Sequence, residues 1–258
     1  MVDIGEIRYG EFNLFDLKGR LRSSPEKVFH LDELSLAGKS GGAISIVGQF
    51  NVANPYLYNF SAELDMKDMN VDDLDIPMQM GDTLYRLKET FDGRISADGL
   101  AEIFITPDFK VDMSNTTAVF KVRIEDGALI NFTPLQAAAK YLDNKDLNYV
   151  KFATLQNGFP MTLMDSRITV PLMIIESTVG QMLIEGEQGL DKSYLYLVRI
   201  PPNLAREAAK SVLSDGRDKG EEEQIQEMRR GNFYSLTVWS DGIHSDFKLG
   251  DRRSKFEE

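Results

Sequence analysis

Two histidines, His30 and His244, are the side chains of this 258-residue chain suited to proton transfer near neutral pH. They lie in different regions and neither sits in a ligand-spaced pair, so each reads as a surface or strand-edge residue. Cysteine is absent, which removes disulfides, thiolate nucleophiles, Fe–S clusters and Cys-type zinc sites. No zincin or dinucleotide fingerprint occurs. Gly38-Lys39-Ser40-Gly41-Gly42 has a phosphate-friendly composition but lacks the leading glycine of a P-loop, and alternating segments flank it on both sides. It reads as a hairpin turn. Asp65, Asp68, Asp72, Asp73 and Asp75 offer the hard oxygens that calcium wants, yet they miss the D-x-[DN]-x-[DN]-G pattern and suit solvated turns. Nothing selects one carboxylate pair for general acid–base work, so no catalytic residue is assigned and a non-enzymatic role is expected, with neither cofactor nor metal.

Charge narrows the partners. With 29 basic and 41 acidic residues the net charge is −12, which repels phosphate backbones and argues against nucleic acid. It also disfavours tight docking on an anionic membrane surface. The longest apolar run, Val170-Pro171-Leu172-Met173-Ile174-Ile175, is far short of the ~20 residues of a membrane-spanning helix. The start of the chain, with Asp3 and Glu6, does not read as a signal peptide.

Those side chains must be positioned by something, and the dominant pattern has a period of two. Leu34 and Leu36, then Ile44, Ile46, Gly48, Phe50 and Val52, alternate with polar residues. So do Phe60, Ala62, Leu64 and Met66, then Phe91 to Ala97, Ile103 and Ile105, and Phe120, Val122 and Ile124. The rhythm returns in Ile168, Val170, Leu172 and Ile174, in Met182 and Ile184, and in Tyr194 to Ile200. It closes with Leu236, Val238, Phe247 and Leu249. Many short alternating segments separated by Gly, Asn and Asp predict antiparallel strands joined by hairpins.

Four segments break the rhythm and predict helices. Residues 133–142 have a capping Thr and Pro at the first helical position. Residues 203–213 have Asn203 as cap, 82–90 form a short candidate, and 221–230 place acids first and bases last. A faint repeat relates Asp32–Phe50 to Asp165–Gly186, each a hairpin followed by a long alternating strand. The expected organisation is a β domain over 1–213, a charged loop and short helix over 214–230, and closing strands with a charged tail over 231–258.

Some strands are apolar on both sides, such as Tyr194-Leu195-Tyr196-Leu197-Val198. A sheet buried on both faces explains this, and so does a sheet whose concave face holds an acyl chain. The 11 methionines suit an adaptable apolar surface.

The order of the motifs resembles the AsmA family, in its C-terminal region. The run Leu31-x-x-Leu34-x-Leu36-x-Gly38, Gly41-Gly42-x-Ile44-x-Ile46-x-Gly48-x-Phe50-x-Val52, then Pro55-x-x-Tyr58-x-Phe60-x-Ala62-x-Leu64 is similar to that family's strand pair, Gly-Gly turn and following strand. Met69-Asn70-Val71-Asp72-Asp73-Leu74, Phe91 to Gly99, and Ile124 to Leu135 resemble its later elements. The resemblance covers roughly residues 2 to 200. It implies a mainly β fold with a few helices: a long, twisted antiparallel sheet bent into a groove, with helices near its end. It further implies a fragment of an inner-membrane-anchored protein in the periplasm of a diderm bacterium, handling phospholipid for the outer membrane.

The expected partners are phospholipid acyl chains. The groove candidates are Ile44, Ile46, Phe50, Val52, Phe60, Leu64, Ile103, Ile105, Phe120, Val122, Ile124, Leu172, Ile174, Met182 and Ile184, with the concave face left open. The alternative is a structural or adaptor module that binds an envelope protein through a sheet edge or its terminal helices.

Overall fold

Apolar side chains at every second position gather on one side only if the chain is extended, because successive side chains of a strand point to opposite faces. The computed structural model describes residues 2–9, 12–74, 78–80, 83–132, 134–136, 139, 145–157, 159–178, 180–201, 229–230 and 233–249. It is mainly β, as the alternation predicts. The chain opens with β1 (Val2–Tyr9), β2 (Phe12–Gly19) and β3 (Leu21–Ser23), followed by β4 (Val28–Gly38), β5 (Ala43–Asn51) and β6 (Tyr58–Asn70). A separate small hairpin, β7 (Met78–Met80) with β8 (Thr83–Tyr85), precedes the two longest strands, β9 (Phe91–Ile105) and β10 (Val111–Ile130). Then come β11 (Tyr149–Asn157), β12 (Met161–Met164), β13 (Arg167–Ser177), β14 (Gly180–Gly189) and β15 (Ser193–Ile200). The last are β16 (Arg229–Arg230), β17 (Phe233–Asp241) and β18 (Ser245–Leu249).

One 16-stranded antiparallel sheet runs β1-β2-β4-β5-β6-β9-β10-β11-β13-β14-β15-β17-β16, with β3 on β4, β12 between β10 and β13, and β18 on β17. Chain neighbours are thus mostly sheet neighbours. β10 is long enough, at 20 residues, to pair with β12 along one stretch and with β11 along another. Because β15 pairs directly with β17, the closing strands continue the main sheet.

The alternation is interrupted by bulges, and acidic residues occupy many of them. The pairing slips between Phe15 and Lys18, between Leu31 and Leu34, between Met66 and Met69, and between Glu125 and Ala128. Asp16, Glu33, Asp68 and Asp126 sit in these slips at φ of 51°, 94°, 53° and 49°. An L-residue avoids that left-handed region unless a short polar side chain can bond locally, which favours Asp. Gly127 follows Asp126 for a different reason: a Cβ there would lie 2.3 Å from the Asp92 carbonyl and 2.8 Å from the Phe152 ring. Only glycine fits that approach.

A further bulge lies between Val170 and Met173 in β13, where Pro171 removes a ladder donor. It changes the phase of the strand. Ile168 and Val170 share a face with Met173 and Ile175, while Leu172 and Ile174 turn to the opposite side and are 37% and 45% exposed. Continuous alternation through Leu172 and Ile174 is therefore corrected by one inserted residue.

The core lies where connections fold back on the apolar face. Val71 and Leu74, from a 3-10 turn (Val71–Leu74) after β6, are buried. Leu135 and Leu147, from the segment joining β10 to β11, are 0% and 1% exposed. They pack in one cluster with Leu36, Ile44, Ile95, Ile124, Leu155, Ile175, Met182 and Ile184.

The helix expectations fare less well. Residues 134–136 and 139 are helical, with Leu135 and Ala139 buried. Residues 82–90 instead hold β8 and a 3-10 turn (Leu87–Glu89), because Thr83–Tyr85 pair with Met78–Met80 and leave too little chain for a helix. Arg229 and Arg230 are paired with β17 rather than ending a helix. The candidate over 203–213, and the rest of 221–230, lie outside the described residues.

The bulge in β13 gives a stability test. Leu172→Ser should move the urea midpoint little, within about 0.5 kcal/mol, because that side chain already faces water. Ile175→Ala, three residues on, should cost about 2–5 kcal/mol. The two substitutions would cost the reverse if the strand alternated without a bulge.

Candidate functional site

The strand registers align side chains into rows that cross the sheet on one face. Leu34, Ile46, Leu64, Gly99, Phe120 and Met161 form one row. Leu36, Ile44, Met66, Ala97 and Val122 form the next. On the other side run Phe29, Phe50, Phe60 and Ile103. Between the first and third rows lies a line of small residues, Gly48, Ala62, Ala101 and Ala118.

Burial along this face is graded. Ile44, Ile124, Met182 and Ile184 are 6%, 3%, 0% and 2% exposed. They belong to the covered core and cannot line an open surface. Ile46, Phe50, Phe60, Leu64, Ile103, Ile105, Phe120 and Val122 are only partly buried. Together they make an apolar field over β5, β6, β9 and β10. Val52 lies beyond the end of β5, its N–H bonded to the Lys27 carbonyl at 3.1 Å. Leu172 and Ile174 are on the opposite face. The field also includes Leu34, Met66 and Ile168 from the alternating segments, and Met161, which stands opposite Phe120 outside them. At its hairpin end it is extended by aromatic contacts, Phe50 to Tyr58 at 5.8 Å and Tyr58 to Phe109 at 6.1 Å.

The opposite face carries the charge, interspersed with exposed Val47, Leu100 and Val119. Asp65 and Asp98 are directly opposed across β6 and β9, a destabilising arrangement. Lys67 meets Asp65 at 2.8 Å and Lys121 stands opposite Asp98. A shallow depression of about 660 Å³ lies on this face, lined by His30, Gln49, Glu63, Leu100, Glu102 and Val119 among others. Gly48, Ala62, Ala101 and Ala118 line it as well, so it lies across the line of small residues.

The sequence features that suggested chemistry resolve into structure. Gly41 and Gly42 turn at φ of 94° and 85° between β4 and β5, a conformation that favours glycine. The Ser40 N–H donates to Asp73 Oδ2 at 2.7 Å and its hydroxyl to Asp73 Oδ1 at 3.4 Å. A carboxylate of the chain itself thus occupies the position an anion would take. Gly38 to Gly42 also has the spacing of a G-x-S-x-G nucleophile elbow, but that motif needs a strand-to-helix turn, and here strands lie on both sides. Among the described residues no group of three metal-ligating side chains stands together. His244 is exposed, with Nδ1 3.7 Å from Asp241. Asp75 lies outside the described residues.

Asp68, in the β6 bulge, is held by Arg94 of β9. The guanidinium donates to both carboxylate oxygens and, at 2.6 Å, to the Asp68 carbonyl. Those hydrogen bonds hold the Asp68 carboxyl below its ordinary value of 3.8. A lowered carboxylate contributes stability above its unfolded value and loses it as pH falls through the folded one. The clamp should therefore act fully above about pH 4 and fail in more acid solution. Arg94→Gln should return the Asp68 carboxyl toward 3.8, read by carbon-detected NMR titration.

Comparison with family models, with curated proteins and with solved structures gives no match. The likeness to the AsmA family rests on the motifs alone. Among the described residues no helix is long and apolar enough to cross a membrane.

Proposed function

We propose that this chain is a non-enzymatic lipid-holding module that accommodates acyl chains on the apolar face of its sheet. One observation carries the reading. Partly exposed Ile46, Phe50, Phe60, Leu64, Ile103, Ile105, Phe120 and Val122 lie in register on one face of the sheet, with Ile46, Leu64 and Val122 packed at the margin of the core. Soluble proteins seldom leave a contiguous apolar patch of this kind without a use for it. An acyl chain laid there gains roughly 0.8 kcal/mol per CH₂ removed from water. Lines of side chains that cross the strands favour an extended ligand over a compact one.

The resemblance to the AsmA family extends the proposal to a setting: the periplasm, as part of an inner-membrane-anchored protein that supplies phospholipid to the outer membrane. The net charge of −12 fits contact through apolar side chains better than docking on anionic headgroups. A second reading has its own support. On its outer side β1 has no strand partner among the described residues, and an open edge can accept a strand from a protein partner.

Native mass spectrometry of the purified chain should show bound phospholipid. Ile46→Asp should abolish that loading while leaving the far-ultraviolet circular dichroism of the sheet intact. A chain that is lipid-free as purified and takes up none from vesicles would refute the acyl-chain reading and leave the edge-pairing one.

A further inference from the structure

The edge strand β1 has a sequence that complements itself. Its eight residues, Val2-Asp3-Ile4-Gly5-Glu6-Ile7-Arg8-Tyr9, pair with β2 on one side and with no strand on the other among the described residues. Asp3, Ile4, Gly5 and Glu6 are exposed. Set antiparallel to a second copy of itself about a centre between Gly5 and Glu6, the strand puts Val2 opposite Tyr9, Asp3 opposite Arg8 and Ile4 opposite Ile7. Each match occurs twice, so apolar residues meet apolar ones and acids meet bases along the strand. A shift of one residue either way sets Ile4 against Glu6 or against Arg8.

The phase of β1 permits this register. Two edges that pair about an axis normal to the sheet bring together residues of the same face, and in a regular strand those are an even number of positions apart. Ile4 and Ile7 are an odd number apart. β1 keeps constant register with β2, Ile4 on Leu17 and Ile7 on Leu14, and between those two leucines β2 slips against β4 at Asp16. Leu17 packs against the core, and Leu14 stands opposite Gly38, two residues from buried Leu36. The slip thus places Ile4 and Ile7 at register positions of one face.

We propose that the partner of the β1 edge is a second copy of this chain, the two β1 strands pairing antiparallel in this register so that two sheets run into one. The assignment rests on the edge-pairing reading given above and names its partner. Two copies at −12 repel one another as wholes, so the contact needs a local match of charge. The two Asp3–Arg8 pairings supply it. Because the same strand serves on both sides, the contact is isologous and closes at two copies.

Sedimentation velocity of the full chain, from micromolar to hundreds of micromolar, should show a monomer–dimer equilibrium. Arg8→Asp and Asp3→Arg each set like charges opposite one another twice, and each should weaken dimerisation roughly tenfold. The double variant Asp3→Arg, Arg8→Asp should restore it, with far-ultraviolet circular dichroism unchanged throughout. Hydrogen exchange of the β1 amides should slow as the concentration rises. A chain that is monomeric throughout overturns the self-pairing, as does a dimer indifferent to the single variants or not restored by the double one; either leaves the edge to a different protein. If the β1 amides of the monomer are protected as fully as those of β2, the edge is closed, and the edge-pairing reading fails together with the self-pairing.

Discussion

In a sheet with one apolar side packed on a core, a slip of one residue in pairing sends a strand's whole apolar set to the wrong face. Every strand here must therefore keep phase with its neighbours over long stretches while the sheet twists. The molecule meets that constraint with bulges whose positions are chemically marked. Asp16, Glu33, Asp68 and Asp126 take the left-handed conformation that a slip requires. Arg94 pins one of those slips by gripping Asp68 through side chain and backbone together. The rows on the apolar face exist because the slips are fixed.

Much of this was legible in the sequence, and what was missed has a physical cause. Alternation around Ile44 to Phe50 and Phe60 to Met66 marks the strands and their buried side, because neither β5 nor the stretch of β6 before Asp68 contains a bulge. The same rule misplaces Leu172 and Ile174, since an inserted residue leaves no trace in a run that is apolar at consecutive positions. Pro171 was the available signal. The acidic cluster around Asp65 to Asp73 reads as turn chemistry, but sequence alone does not tell that Asp73 reaches back to Ser40 or that Asp68 meets Arg94, contacts between residues 33 and 26 positions apart in the chain. The segment 82–90 carries a helical pattern too short to outweigh a local hairpin. The concave side lay beyond sequence altogether, because curvature depends on how bulges and close glycine contacts add up across neighbouring strands.

The two faces divide the work of being in water. Opposed Asp65 and Asp98, the nearby lysines, and the depression containing Glu63 and Glu102 keep one side hydrated. The other side is covered where Val71, Leu74, Phe132, Leu135, Ala139 and Leu147 fold over it. Beyond those residues the apolar side chains are partly buried rather than fully enclosed. The step from core to partly exposed field therefore occurs within single strands: in β10, Ile124 is in the core, Val122 packs at its margin and Phe120 is partly exposed.

The order of the strands has a consequence for how the molecule comes apart. A meander in which each strand leans on its immediate predecessor is nearly one-dimensional, and in such arrays stability is a sum of nearest-neighbour terms. The covered end around β11 to β17 carries most of the buried side chains, whereas β1 and β2 form an edge held by one neighbour each way at most. Amide exchange through such a sheet runs as a gradient, with strands lost from the thin edge while the packed end persists. An object that sheds strands singly can also gain them singly, so its length is set by the number of strands rather than by closure.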